Sequence, residues 1–231
     1  GGTQVNLTVI AAALRPFEGV LCADTGHINV HETGAVEATG HKALALPSAE
    51  GKITAAQVRE ACEKHLGDAT HEHMVRPAMV YISYPTELGT LYTRKDLEAL
   101  YAAAQSFGLK LFIDGARMSY GLAADPTVDL PFLATHCDAF TLGGTKCGAL
   151  FGEALVLPRP ADWPFFRYHI KQRGAMLAKG RLLGVQFLAL MENGRYQALG
   201  AQANGQAQRI KTALLSMGIP MLCDTVTNQI F

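Results

Sequence analysis

Short apolar runs recur along the chain at residues 20–23, 43–46, 79–82, 111–113, 139–142 and 154–157, and none of them alternates with polar positions. Runs of this kind are what strands look like when both faces are covered, the usual condition of a parallel sheet. Between them the period changes. Thr54 and Gln57 stand three residues apart as a capping box, and Val58, Ala61, Cys62 and His65 follow at helical spacing, so a helix is predicted over 55–66 with Gly67 as its stop. Thr93 and Asp96 repeat the signal in weaker form. Leu97, Leu100, Tyr101, Ala104 and Phe107 then mark one apolar stripe before Gly108. A further helix is expected over 5–14, after the small residues Gly1 to Gln4. From residue 165 to about 199 the strand signal vanishes, and Met176, Leu177, Leu182, Leu183, Val185, Phe187, Leu188 and Met191 predict one or two long helices. Another is expected over 206–216, and 226–231 reads as the beginning of a strand.

Strand and helix in alternation, with continuous apolar strands, mean an α/β sheet that is mostly parallel and joined by right-handed crossovers. Residues 1–160 are expected to form a large domain, 161–200 a helical connection and 201–231 the beginning of a small C-terminal domain. The chain opens as if inside a turn and closes as if entering a strand, so further sequence is expected at both ends. No repeat or low-complexity segment interrupts it.

Charge narrows the partners. With 20 Lys+Arg against 20 Asp+Glu the formal net charge is zero, which lacks the basic footprint that nucleic acid or an anionic membrane surface requires. Apolar runs such as 9–14 fall far short of the ~20 residues that span a bilayer. Five cysteines, an odd number without a Cys-x-x-Cys pair, argue against a disulfide framework and a zinc site and favour a reducing cytoplasm. No ligand cluster suggests a metal.

In an open α/β sheet the ligand lies outside the carboxyl ends of the strands. There the sequence places Asp114 and Arg117 after one run, Gly143-Gly144-Thr145-Lys146 after another, His27 after a third, and Glu87 after a fourth. Gly1 to Gln4, ahead of a helix, would favour an anion. Each residue has an ordinary alternative: Lys146 a solvated lysine, Asp114 a helix cap, Arg117 a surface ion pair, Thr3 and Gln4 plain caps. Taken together, an anion cradle, an amine, a carboxylate and an imidazole match the phosphate, aldehyde, ring nitrogen and ring face of pyridoxal phosphate. The Asn6-Leu7-Thr8 glycosylation pattern lies inside a predicted helix and reads as accidental.

Gly2-Thr3-Gln4-x-Asn6, His27-x-x-x-x-Glu32-x-Gly34, Phe112-Ile113-Asp114-Gly115-Ala116-Arg117 and Gly144-Thr145-Lys146 resemble, in order and spacing, the low-specificity L-threonine aldolases of the β-eliminating lyase group. These are fold type I pyridoxal-phosphate enzymes, and the resemblance runs over essentially the whole chain. It implies that Lys146 holds the cofactor's aldehyde, that Asp114 keeps the pyridine nitrogen protonated, and that His27 stacks on the ring and takes the substrate's β-hydroxyl proton. It implies phosphate binding by Gly2, Thr3 and Gln4, with Thr145 adding its hydroxyl, and a polar contact from Glu87. Arg117 would meet the cofactor's phenolic oxygen or the substrate carboxylate. Glu32 is a candidate for positioning the site or binding substrate, or simply for stabilising a helix start. His71 or His73 would stand near where the family often has a second site histidine, and one of Lys171, Arg173 and Lys179 would reach a neighbouring subunit's phosphate. The family pattern places an N-terminal arm before this stretch and a carboxylate-binding arginine after it. The implied reaction is retro-aldol cleavage of L-threonine or L-allo-threonine to glycine and acetaldehyde, in a homodimer or homotetramer with shared sites. β-Elimination on another amino acid and an inactive relative of the same fold remain as alternatives.

Overall fold

The computed structural model describes residues 1–231. In chain order it runs α1 (Gly2–Ala13), β1 (Glu18–Ala23), α2 (His27–Val30), β2 (Lys42–Leu46), α3 (Ala55–Gly67), β3 (Arg76–Ser83), α4 (Arg94–Ser106), β4 (Lys110–Asp114), α5 (Met118–Ala124), α6 (Leu130–Thr135), β5 (Ala139–Gly143), β6 (Glu153–Val156), α7 (Phe166–Gln172), α8 (Arg181–Met191) and α9 (Arg195–Ser216). The six strands form one sheet in the order β2-β1-β3-β4-β5-β6, parallel except for β6, which runs antiparallel to β5. All six apolar runs are strands. The two edge strands differ from the expectation of full cover, because β2 and β6 have a neighbour on one side only and stay partly exposed.

Each inner strand buries alternate residues in two different cores. Leu21, Val80, Ile82, Leu111, Ile113, Phe140 and Leu142 face α3, α4, α5 and α6 in the larger core. Val20, Cys22, Met79, Tyr81, Phe112 and Ala139 face α1 and Trp163 in the smaller one. The period-2 geometry of a strand thus places Asp114, two residues after Phe112, on the α1 side.

Both capping boxes form. At α4 the Thr93 Oγ1 accepts from the Asp96 N–H at 3.2 Å while Asp96 Oδ2 accepts from the Thr93 N–H at 2.8 Å, so the weaker sequence signal is a complete box. Gly108, with φ +67°, supplies the left-handed stop.

Two expectations fail. α9 begins at Arg195, well before residue 206, and continues through Gly200 and Gly205. Gly200 is there for packing: a Cβ at this position would lie 2.2 Å from the Ser119 carbonyl oxygen of α5. Asn204 secures the same crossing by donating to the Tyr120 carbonyl at 2.9 Å. Residues 226–231 form no strand. Thr227 Oγ1 instead donates to the Gly89 carbonyl at 2.7 Å, and Gln229 Nε2 to that of Glu87 at 3.0 Å, so this segment is tied to a loop rather than to a sheet edge.

Gly200→Ala is expected to destabilise the protein by about 1–3 kcal/mol through forced separation of α5 and α9. Gly205→Ala, whose Cβ meets nothing within 4 Å, should be neutral or stabilising by up to ~1 kcal/mol. Urea midpoints of the two variants test this; equal midpoints would show that the close approach does not restrain the crossing.

Candidate active site

The strand order reverses direction between β1 and β3, and the crevice outside the carboxyl ends of the strands is where an open α/β sheet binds ligands. One pocket opens there. Gly2, Thr3 and Asn6 of α1, His27, Ser83, Glu87, Asp114, Arg117, Thr145, Lys146 and Glu153 are among its thirteen lining residues, of which one is hydrophobic. Such a surface holds its ligand by charge and hydrogen bonds.

Gly2, Thr3 and Gln4 form the first turn of α1 itself rather than a loop ahead of it, and the N-cap, Gly1, provides no side-chain cap. The leading N–H groups of the helix are therefore free, and Gly2 has open space where a Cβ would stand. Gln4 faces elsewhere: its Nε2 donates to the Arg173 carbonyl at 3.0 Å, and it does not line the pocket.

Asp114 ends β4 and is 5% exposed. Its Oδ2 accepts from Asn6 Nδ2 at 2.8 Å and from the Tyr81 hydroxyl at 2.6 Å, and its Oδ1 from the Ala116 N–H at 2.8 Å. A carboxylate offers about four acceptor sites, so three donors leave one for a ligand in the pocket. Burial and the neighbouring Asp114 charge hold the Tyr81 phenol well above its ordinary range, and it stays a donor.

His27 opens α2 on a half-buried ring. Its Nδ1 lies 2.8 Å from Glu32 Oε1, and its backbone N–H donates to Glu87 Oε1 at 2.8 Å. Ser83 Oγ donates to the same Glu87 oxygen at 2.5 Å. The hydrogen bond to Glu32 raises the His27 pKa above its ordinary value, in spite of partial burial. Burial raises that of Glu87. Glu32 is buried behind His27 and does not line the pocket; its contacts are the imidazole and the Asn6 amide.

Lys146 stands exposed at the pocket in the loop after β5, its carbonyl accepting from the Tyr120 hydroxyl. No protein carboxylate engages its amine or the Arg117 guanidinium. The loops carrying these two cations come together only because glycine stands at the crossing: a Cβ on Gly143 would lie 2.1 Å from the Ala116 carbonyl oxygen, and one on Gly115 2.0 Å from that of Thr141. Thr145 spends its hydroxyl on Glu153 Oε1 at 3.0 Å instead of presenting it to the α1 terminus. His71 and His73 lie on the turn ahead of β3, at the amino end of the sheet and away from the pocket. Tyr81, Ser83 and Glu153 carry no sequence signal as site residues, and Asn6 stands in the Gly2-Thr3-Gln4-x-Asn6 motif with no role assigned to it there. The one usable signal is Asn6, a polar residue on the helix face that also carries Val9 and Ile10, and at 1% exposure it is closed to glycosylation.

The free helix terminus, an anchored acid with one acceptor site left, and two unpaired cations fit a phosphate-bearing pyridine aldehyde: N–H donors for the phosphate, Lys146 for the aldehyde, Asp114 for the ring nitrogen. Comparison with known proteins agrees. The β-eliminating lyase family model matches residues 1–231. A low specificity L-threonine aldolase of Pseudomonas sp. is 31% identical over 235 residues, an alignment that takes in 100% of this chain and 66% of that protein. The chain thus spans just under two thirds of that relative's length. The structure of Leishmania major threonine aldolase superposes with a TM-score of 0.94 at 45% identity, covering 100% of this chain and 67% of that one. A Thermus thermophilus aspartate aminotransferase variant, at 14% identity and a TM-score of 0.71 over 100% of this chain and 61% of its own, shares the fold alone. That fold is the fold type I architecture which the sequence resemblance implied.

Because the folded His27 pKa is raised, the His27–Glu32 pair stabilises the fold fully below the ordinary histidine value and ceases to do so as pH rises through the raised one. Glu32→Gln is expected to lower the His27 titration midpoint, read from its imidazole resonances. An unchanged midpoint would show that Glu32 does not set the basicity of this ring.

Proposed function

The chain belongs to the β-eliminating lyase family, and on that premise we propose that it is a pyridoxal-phosphate-dependent lyase that cleaves L-threonine or L-allo-threonine to glycine and acetaldehyde. The observation that carries this reading is the convergence of an unpaired lysine, an unpaired arginine, a triply anchored aspartate and a carboxylate-backed histidine on one polar pocket. When bound, the cofactor supplies the electron sink for the pair released at Cα.

The first turn of α1, Gly2 to Gln4, would hold the phosphate through its free N–H groups. Lys146 would hold the cofactor through its aldehyde, and Asp114, with its remaining acceptor site, would accept a hydrogen bond from the protonated ring nitrogen and keep it protonated. Arg117 takes the substrate carboxylate or the cofactor's phenolic oxygen, for which its planar fork is suited. His27 has Nδ1 committed to Glu32, so Nε2 is the nitrogen left to remove the β-hydroxyl proton, and it can do so only where the ring is neutral. Glu87, buried against Ser83 and the His27 backbone, fixes the start of α2 and with it the reach of the imidazole. On the same reading residues 1–160 form the cofactor domain, 161–200 a helical connection and 201–231 the opening of a smaller domain.

The assembly we infer is a homodimer or homotetramer. Leu150, Phe165, Tyr168, Leu182 and Leu188 expose large apolar side chains around α7 and α8, and α7 reaches the pocket end of α1 through the Gln4–Arg173 contact. A partner covering this face would stand beside the site. No helix is long and apolar enough to cross a membrane, and all five cysteines are free and buried, in keeping with a reducing compartment.

Incubation of the purified protein with L-threonine is expected to yield glycine and acetaldehyde in equal amounts. Lys146→Ala should lose both turnover and the visible absorbance of the bound cofactor. His27→Ala should keep the absorbance and lose roughly 10²–10⁴-fold in kcat. Pyruvate and ammonia from serine, with no acetaldehyde from threonine, would replace this reading with β-elimination. Light scattering should give a dimer or larger species; a monomer would remove the shared-site assembly.

A further inference from the structure

Asn6 sits on the buried face of α1, and its amide nitrogen donates at once to Glu32 Oε1 and to Asp114 Oδ2, both at 2.8 Å. Reversal of the amide would set its carbonyl oxygen against two carboxylate oxygens, so this orientation is the only one the site allows. The two hydrogens of the amide are used up on two acids that come from different parts of the chain. Glu32 Oε1 also meets His27 Nδ1, and Asp114 Oδ2 also meets the Tyr81 hydroxyl. Four side chains therefore form one line from the imidazole to the acid at the end of β4, and Tyr81 of β3 extends it as a fifth.

We propose that Asn6 is a positioning residue whose amide, by donating to Glu32 and Asp114 together, ties the His27–Glu32 pair to the acid of β4 and holds the two carboxylates side by side. The inference rests on the reading in which His27 and Asp114 serve the reaction, and it assigns the chain a part that neither of them can play alone. Two buried carboxylates within reach of one atom repel one another, and a donor placed between them offsets that repulsion. With Asn6 gone, Asp114 retains Tyr81 and the Ala116 N–H, whereas Glu32 retains only His27. Glu32 then loses one of the two donors that hold it beside the ring, and the imidazole is less firmly set against its carboxylate. The other groups facing this cluster are Glu87 at the His27 backbone, Lys146 and Arg117 across the pocket, and His31, whose ring centre lies 5.7 Å from that of His27. None of them contacts Glu32 in place of Asn6.

The imidazole resonances of the full chain, with and without added pyridoxal phosphate, provide the test, the His27 signal being assigned by its loss in His27→Gln. In Asn6→Leu, of similar size and without donors, the proton affinity of the His27 ring is expected to fall by about tenfold, or about one pH unit in midpoint. Asn6→Asp keeps the shape and adds a third acid. Its folded state should hold an extra proton, so that its thermal midpoint falls, relative to the unaltered chain, as pH rises above the ordinary aspartate range. An unmoved His27 midpoint in Asn6→Leu would overturn the proposal. If that variant does not fold, parallel thermal profiles for Asn6→Asp and the unaltered chain would do the same. Neither measurement depends on turnover, so an absence of threonine cleavage would bear on the proposed reaction and leave this result to stand by itself.

Discussion

A carboxylate brought into the interior must be met by donors, and Asp114 is the group around which this molecule is arranged. Its three partners come from three elements: Asn6 from α1, Tyr81 from β3 and the Ala116 N–H from the turn that follows β4. An unmet buried carboxylate would cost several kcal/mol. Meeting it fixes the register of α1 on the sheet. The same register delivers the free N-terminus of α1 to the mouth of the pocket, so one buried acid determines where an external anion is received.

The electrostatic design is uneven, and the unevenness is informative. Inside, acids are matched to donors: Glu32 to His27 and Asn6, Glu87 to Ser83 and a backbone N–H, Glu153 to Gly144 and Thr145. At the pocket surface Lys146 and Arg117 are left without partners among the protein's own carboxylates. Unmatched positive groups opposite a helix N-terminus suit a doubly anionic cofactor and an amino-acid substrate. A carboxylate behind His27 serves a different purpose. It settles which ring nitrogen stays available and shifts the pH at which the ring becomes a base.

The fold alone would not single out this chemistry. An aspartate aminotransferase at 14% identity has the same architecture, and one scaffold supports many reactions through its strand-end residues. The likeness at 45% identity to the Leishmania major enzyme spans the strand ends as well as the strands. At the strand ends of this chain stands the hydrogen-bonded set His27, Glu32, Asn6 and Asp114, built from α1, the turn at α2 and β4.

Much was already legible in the order of residues. The six strands appear as apolar runs because strands covered on both faces need no polar alternation. The helices after Thr54 and Thr93 are announced by local capping chemistry, which involves neighbours in sequence only. Lys146, Asp114, His27 and Arg117 were readable as strand-end residues, since sheet topology sends such positions to one rim. Other features depend on partners far away in the chain. Gly200 looks like a helix breaker until α5 is seen against it, and 226–231 looks like a strand until Thr227 and Gln229 are seen bonded to a loop. Thr145 and Gln4 look free until Glu153 and the Arg173 carbonyl claim them. Asn6, Tyr81 and Glu32 sit in stretches whose local pattern says core or helix end. By itself, then, the sequence determined the elements and the rim of reactive residues, because those follow from short-range periodicity and capping. Only the tertiary structure decided which buried polar groups meet, because burial without a partner is costly and the partner comes from wherever the fold brings it.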